Sequence, residues 1–362
     1  MGEYAVRWYR PGDEADMATL RADVWGAGTE AYIRWKYVET PFLDHVPVVV
    51  AETDGEIVGM RPFVPYRMRE DGRETLALLH TDTIVHPDHR RQGLFTRMTE
   101  RALDRYVDSD AAFTFGHSNA NSRPGYRKLG WSDLGPRRWY TRVQDPYTSL
   151  TARRDDVAMR LAGRVTTPFV RGYLAVRERL LDVDGDVTVT RHEGLPVQTL
   201  ATLYDSEQPD ALHPVRDEAY YRWHAADPLE EHTVTHVARE DDRPLAAVCS
   251  KTVDLSFGQM TTIQGVEPMA GGRPWTRAIA ALLDAVLAEQ STATYVKAWN
   301  PVFPDRLLQS FGFLPHDELP LSALTAPPDE RLFVRPLAAN EEAKAAARTR
   351  LRAASPYLWA LG

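Results

Sequence analysis

The two halves of this 362-residue chain repeat each other, segment by segment and in the same order. Tyr32-Ile33-Arg34-Trp35 returns as Tyr220-Tyr221-Arg222-Trp223, and Val50-Ala51-Glu52 as Val237-Ala238-Arg239. Val85-His86-Pro87 returns as Val266-Glu267-Pro268. Asn119 followed by Gly130-Trp131 returns as Asn300 followed by Gly312-Phe313. Arg138-Trp139-Tyr140-Thr141-Arg142 returns as Arg331-Leu332-Phe333-Val334-Arg335. The offsets run from 181 to 193, a drift that loop insertions within a duplicated domain would produce. Five matches in one order indicate duplication, and the length suits two domains. Whatever the first half folds into, the second half must be able to fold into as well.

Each copy reads as mixed α/β. In the first, a strand from Tyr4 to Trp8 precedes a helix from Asp13 to Trp25. Val48 to Glu52 and Glu56 to Val64 read as strands around the turn Asp54-Gly55. Glu74 to Val85 is a further strand, ended by Pro87. From Leu94 to Val107, apolar residues at Leu94, Met98, Ala102 and Tyr106 fall four apart and predict a helix with one buried face. Ala111 to Phe115 is the next strand, and Trp139 to Val143 closes the copy. Thr148 to Leu181 has helical spacing and reads as a connector; Ala338 to Ala354 predicts a last helix, followed by an apolar end, Tyr357 to Leu361, that docks on the body. The expected fold class is therefore α/β, a mixed sheet with flanking helices built twice: 1–145, a connector at 146–185, a second copy at 186–337 and a helical tail at 338–362.

Charge and cysteine content narrow the function. A net charge of −8 argues against nucleic-acid partners. Cys249 is the only cysteine, which suits a reducing compartment, and the expected location is cytoplasmic. The N-terminus lacks the apolar region of a secretory signal, and no run approaches a membrane span.

The segment that carries chemistry is Thr83-Ile84-Val85-His86-Pro87-Asp88-His89-Arg90-Arg91-Gln92-Gly93-Leu94-Phe95. It is an apolar strand, a basic loop with glycine, then a helix. A helix start offers unpaired N–H groups and the positive end of a dipole, a combination that binds phosphate. Gly93 lets the backbone approach a ligand closely. The alternative is a solvated basic loop before a surface helix.

Here the chain resembles the GNAT superfamily of N-acetyltransferases, and its repeat makes it similar to tandem members, the mycothiol-synthase-like and Eis-like proteins. The family motif is Arg or Gln, two residues, Gly, one residue, then Gly or Ala. Arg90 and Gly93 match it, and Phe95 departs from it. A second family segment, Asn119, Ser122, Tyr126 and Gly130-Trp131, follows at the expected distance, although Pro124-Gly125 is unusual there and suggests a helix beginning near Tyr126.

The resemblance implies direct attack of a primary amine on the thioester of acetyl-CoA, the co-substrate, with Arg90, Arg91, Gln92, Gly93, Leu94, Phe95, Asn119 and Ser122 around the cofactor. A backbone N–H along Thr83, Ile84 and Val85 would hold the oxyanion. Tyr126 is the expected general acid, its alternative being a core tyrosine; Asn119 is equally suited to a helix cap. For the general base, Asp82 and His117 are candidates and Glu52 a weaker one, with relay through water also open. The acceptor would be a small-molecule or peptide amine. No metal is expected: His86 and His89 lie in a loop without cysteines. Two other functions stay open, a non-enzymatic acyl-CoA sensor and transfer of a longer acyl or an aminoacyl group. In the second copy the loop becomes Gly271-Gly272-Arg273-Pro274, where proline lacks the N–H a phosphate needs, and Tyr126 is replaced by Leu308. That copy is expected to be silent.

Overall fold

Short Asp-Gly turns organise the first half. In the computed structural model, which describes residues 3–358 except 108, 137, 152–156, 181–186, 230–231, 257, 300–302, 320, 325–328, 338–340 and 354–356, it runs β1 (Ala5–Trp8), α1 (Glu14–Trp25), α2 (Glu30–Ile33), β2 (Val48–Thr53), β3 (Glu56–Glu70), β4 (Arg73–His80), β5 (Ile84–Val85), α3 (Leu94–Tyr106), β6 (Ala111–Ser118), α4 (Arg123–Lys128), β7 (Ser132–Pro136) and β8 (Trp139–Val143). Asp54-Gly55 and Asp71-Gly72 all have positive φ, the backbone that two-residue hairpins require. They fold β2 onto β3 and β3 onto β4, so β3 is longer than the sequence suggested. Helix α3 buries Leu94, Met98, Ala102 and Tyr106, the face its spacing predicts.

After α5 (Pro146–Thr151) and α6 (Val157–Leu180), the second half repeats the pattern: β9 (Thr188–Glu193), α7 (Val197–Ser206), β10 (His213–Pro214), α8 (Glu218–Ala225), β11 (Thr233–Glu240), β12 (Arg243–Leu255), β13 (Gly258–Glu267), α9 (Arg273–Glu289), β14 (Tyr295–Trp299), α10 (Asp305–Ser310), β15 (Leu314–Pro315), α11 (Leu321–Leu324), β16 (Arg331–Pro336) and α12 (Glu341–Ala353). The repeat extends to single hydrogen bonds. Tyr126 O accepts from Trp131 N at 3.0 Å, and Leu308 O from Phe313 N at 3.1 Å. Of the paired asparagines, Asn300 lies outside the described residues.

The two copies exchange their closing strands. β8 does not close the first sheet, as its place in the sequence suggested; it lies between β14 and β15 of the second. β16, its repeat, lies between β6 and β7 of the first. The sheet orders are β1-β2-β3-β4-β6-β16-β7, with β5 and β10 also on β3, and β15-β8-β14-β13-β12-β11-β9. Tyr140 of β8 and Phe333 of β16 are fully buried, each in the core of the other copy.

The repeated tryptophans meet where the copies join. Trp35 Nε1 donates to Trp223 O at 2.7 Å, and Trp223 Nε1 donates to Trp35 O at 3.0 Å. Their rings stack with centroids 5.2 Å apart. The reciprocal pair satisfies two indole donors inside an apolar region, where an unmade bond is costly. A single core cluster runs across this junction, from Met60 and Val64 to Val237 and Ala247, and takes in Leu358 near the chain end. Trp359 to Leu361 lie outside the described residues. Among the described residues, no helix is long and apolar enough to cross a membrane.

Candidate active site

The site begins where two parallel strands part. β4 and β6 pair from Leu76/Ala111 to Leu79/Phe115 and no further. Beyond that point β5 pairs with β3 alone. Between the pairs Met60/Ile84 and Phe63/His80, β3 has two residues and the facing chain three, Thr81, Asp82 and Thr83. The extra residue is a bulge, with Asp82 at φ 44°, and it breaks the strand expected from Glu74 to Val85. Bulges bend a strand and end its pairing. The bent segment leaves its β6 side open, as a ligand lying between the strands would need.

Arg61 lies beneath this opening, and sequence reasoning missed it. It is the largest fully buried side chain among the described residues. Its Nη1 donates to Thr83 Oγ1 at 2.6 Å and to the Tyr126 hydroxyl at 2.7 Å. Among the described residues, Nε and Nη2 have no hydrogen-bond partner. The rings of Phe63, Phe95, Tyr126 and Trp131 surround the guanidinium at 5.0 to 5.9 Å. A buried cation without a carboxylate is expensive. The signal in the sequence was a lone charge in the apolar run Gly59-Met60-Arg61-Pro62-Phe63.

Arg61 thus joins two expected site residues, Thr83 on the bulge and Tyr126 on α4. Tyr126 is buried, and Arg61 is the one hydrogen-bond partner of its hydroxyl among the described residues. The oxygen accepts there, so its own proton is not committed to the protein. His80 stacks on the Tyr126 ring with centroids 4.5 Å apart. Burial, then Arg61 and His117, hold the His80 imidazole well below its ordinary value and therefore neutral.

At the start of α3, Arg90, Arg91, Gln92 and Gly93 are exposed. Arg91 and Gly93 have φ of 63° and 72°, and Arg90 Nε anchors the loop to Val85 O at 3.1 Å. No side chain caps the helix, so its first N–H groups keep the phosphate-binding capacity described above. The two departures from the family motif explain each other. A Cβ on Gly125 would lie 2.7 Å from the Phe95 ring. Phe95 occupies the space that Gly125 vacates and meets Tyr126 edge-on. Nor does Pro124-Gly125 shorten the helix: α4 begins at Arg123, with Pro124 in its first turn, where proline is tolerated.

The other expected residues lie around this centre. Asn119 Oδ1 accepts from the backbone of Asn121 and Ser122 at 3.1 and 3.2 Å, and Ser122 Oγ bonds back to Asn119; both shape the turn into α4. His117 pairs in register with Leu332 of the exchanged strand. Glu52 is in an ion pair with Arg7 at 2.6 Å, on the outer strands. Asp82 bonds Lys36 at 2.9 Å, Tyr37 at 2.6 Å and Thr81 at 3.2 Å. Burial would raise its carboxyl, but the Lys36 ammonium and the Tyr37 and Lys36 hydrogen bonds outweigh it and hold the group below the usual range. An acid so stabilised in its charged form is a poor proton acceptor at neutral pH.

Because its folded value is the lower one, Asp82 stabilises the fold above about pH 4, and that stability is lost as pH falls through the lowered value. Asp82→Asn is expected to lower the urea midpoint at neutral pH, with a smaller further loss below about pH 4 than the parent shows. Equal acid losses in the two proteins would contradict this.

In the second copy the corresponding loop is filled. Trp275 packs on Gly271, where a Cβ would meet it at 2.4 Å, and its Nε1 donates to Pro268 O at 2.8 Å. Pro274 sits in the first turn of α9. Leu308, the fourth residue of α10 as Tyr126 is of α4, is fully buried. Among the described residues no cluster of His, Cys, Asp and Glu could hold a metal ion.

The fold is shared with known proteins. A family model described as acetyltransferase (GNAT) domain matches residues 5–133. No curated protein matches the sequence. Among solved structures, a GCN5-related N-acetyltransferase from Kribbella flavida is 16% identical, with 92% of this chain and 71% of that one covered at a TM-score of 0.57. Eis1 from Mycobacterium abscessus is 15% identical, with 92% and 74% covered at 0.54. N-myristoyltransferase of Saccharomyces cerevisiae, solved with bound myristoyl-CoA, is 10% identical, with 92% and 78% covered at 0.56. At such identities the likeness speaks for the fold. Residues 5–133 match the model of the GNAT acetyltransferase domain, and over 92% of its length the chain shares the fold of these solved structures.

Proposed function

We propose that the protein is an acyl-CoA-dependent N-acyltransferase that moves an acetyl group from acetyl-CoA to a primary amine, with its working site in the first copy. The observation that carries this reading is Arg61, which bonds Tyr126 and the bulge residue Thr83 at once. It sets an uncommitted hydroxyl proton beside an open strand edge. The start of α3, from Arg90 to Phe95, supplies N–H groups and positive charge for the pyrophosphate. Acyl-CoA itself supplies the activated thioester.

The amine nitrogen forms a bond to the acyl carbon as the carbon–oxygen π pair moves onto oxygen. A backbone N–H along Thr83, Ile84 and Val85 stabilises that oxygen. When the pair returns, the carbon–sulfur bond breaks, Tyr126 gives its proton to the sulfur, and the nitrogen loses its surplus proton to water, from which the tyrosinate is reprotonated. The amine must first be neutral. We assign that proton to water, because Asp82 is tied to Lys36 and Tyr37 and serves to hold the bulge. The second copy is silent in this scheme: Trp275 fills its loop and Leu308 has no proton to give. A single cysteine fits work in the cytoplasm.

The test is thiol release from acetyl-CoA in the presence of an amine library. Release with one class of amine supports the reading. No release with acetyl-CoA or with longer acyl-CoA would refute it.

A further inference from the structure

A cavity of about 350 Å³ lies between the two copies. The first copy lines it with Tyr32, Lys36 and Thr81, the second with Arg216, Tyr221 and Glu267. It therefore reaches the bulge, since Lys36 and Thr81 both bond Asp82.

Asp82 of the first copy lies behind this wall, bonded to Lys36 and Thr81, and Glu267 of the second copy lies on it; the two are not satisfied alike. Asp82 receives Lys36 and Tyr37 on Oδ2 and Thr81 on Oδ1. Glu267 receives Arg216 at 2.7 Å and Tyr221 at 2.5 Å, both on Oε1. Its Oε2 has no hydrogen-bond partner among the described residues, although Glu267 is only 2% exposed. A buried acceptor without a donor is rare in native proteins and marks a missing group. The charge around it favours a cation. Lys36 and Arg216 stand against Asp227 and Glu267 on the wall and Asp82 behind it; burial raises the Glu267 carboxyl while Arg216 and Tyr221 oppose the rise, and burial pushes the His224 imidazole on the same wall down to about 3, so it adds no charge. Stacked Trp35 and Trp223 form part of the wall, a surface that accepts both alkyl chains and cations.

We propose that this cavity holds the tail of the acceptor, and that the acceptor carries a second, cationic nitrogen whose N–H completes Glu267 Oε2. The proposal rests on the N-acyltransferase reading and gives the silent copy a task, to select diamine-like acceptors over simple amines.

The experiment compares kcat/KM for acetyl transfer to α,ω-diaminoalkanes, matched alkylamines and matched amino alcohols of increasing length. At one length the wild-type protein is expected to prefer the diamine over both by about tenfold or more, as a charge-assisted bond supplies. In Glu267→Gln the ratio of diamine to alkylamine is expected to fall close to one. A wild-type ratio near one at every length would overturn the proposal, as would an amino alcohol that matches the diamine. A folded Glu267→Gln protein with an unchanged ratio would also overturn it. If Glu267→Gln does not fold, the wild-type comparison decides alone. Failure of the parent reading looks different: no thiol release with any of the three series.

Discussion

Tyr126→Phe is expected to lower kcat by about 10²- to 10⁴-fold, the usual contribution of a positioned general acid, while acetyl-CoA still binds. The substitution keeps the ring that packs against His80, Phe95, Trp131 and Phe333, so the cofactor-binding turn beside it should persist. It removes the proton donor and one of the two acceptors of Arg61 Nη1. Leaving a buried donor short of a partner costs about 1 to 3 kcal/mol, so a modest drop in melting temperature should accompany the loss of rate. Steady-state kinetics with calorimetric binding separates the two effects. An unchanged kcat would make Tyr126 a core tyrosine and leave the thiolate without an acid.

The second large effect concerns folding. A fragment ending at residue 145 is expected to be unfolded, and the intact chain to melt in one transition. The fragment lacks β16, which pairs along six positions of β6, from Arg331↔Ser118 to Pro336↔Phe113, and also holds β7. It also lacks Leu332, Phe333 and Val334, all fully buried. Three such side chains contribute roughly 5 to 9 kcal/mol together, comparable to the whole stability of an ordinary domain, about 5 to 15 kcal/mol. The fragment would instead carry β8, an apolar strand whose sheet is absent. Circular dichroism and calorimetry of the fragment and the whole chain test this; a cooperative transition in the fragment would contradict it.

The repeat, the order of strands and helices and the cofactor loop were legible because they rest on local pattern. Leu94, Met98, Ala102 and Tyr106 share a face whatever lies opposite, and Asp-Gly turns need only their own backbone. The strand exchange was not legible. Trp139–Val143 alternates in the same way whichever sheet it joins, and period-two patterning does not name a partner. Phe95 and Gly125 looked like separate departures, thirty positions apart, because only their contact shows that one makes room for the other. Asp82 looked like a base because its partner Lys36 lies 46 residues away, just after a segment noted only as part of the repeat. Arg61 could have been flagged, since a charge inside an apolar strand needs an explanation.

The most direct test of a single working site is calorimetric titration with acetyl-CoA of the wild-type protein and of an Arg91→Glu, Gly93→Pro double variant. One molecule is expected to bind per wild-type chain, and none to the variant, which loses a charge and a backbone N–H at the start of α3. Two molecules per chain, or binding that survives in the variant, would place acetyl-CoA outside the first copy's loop and contradict the assignment.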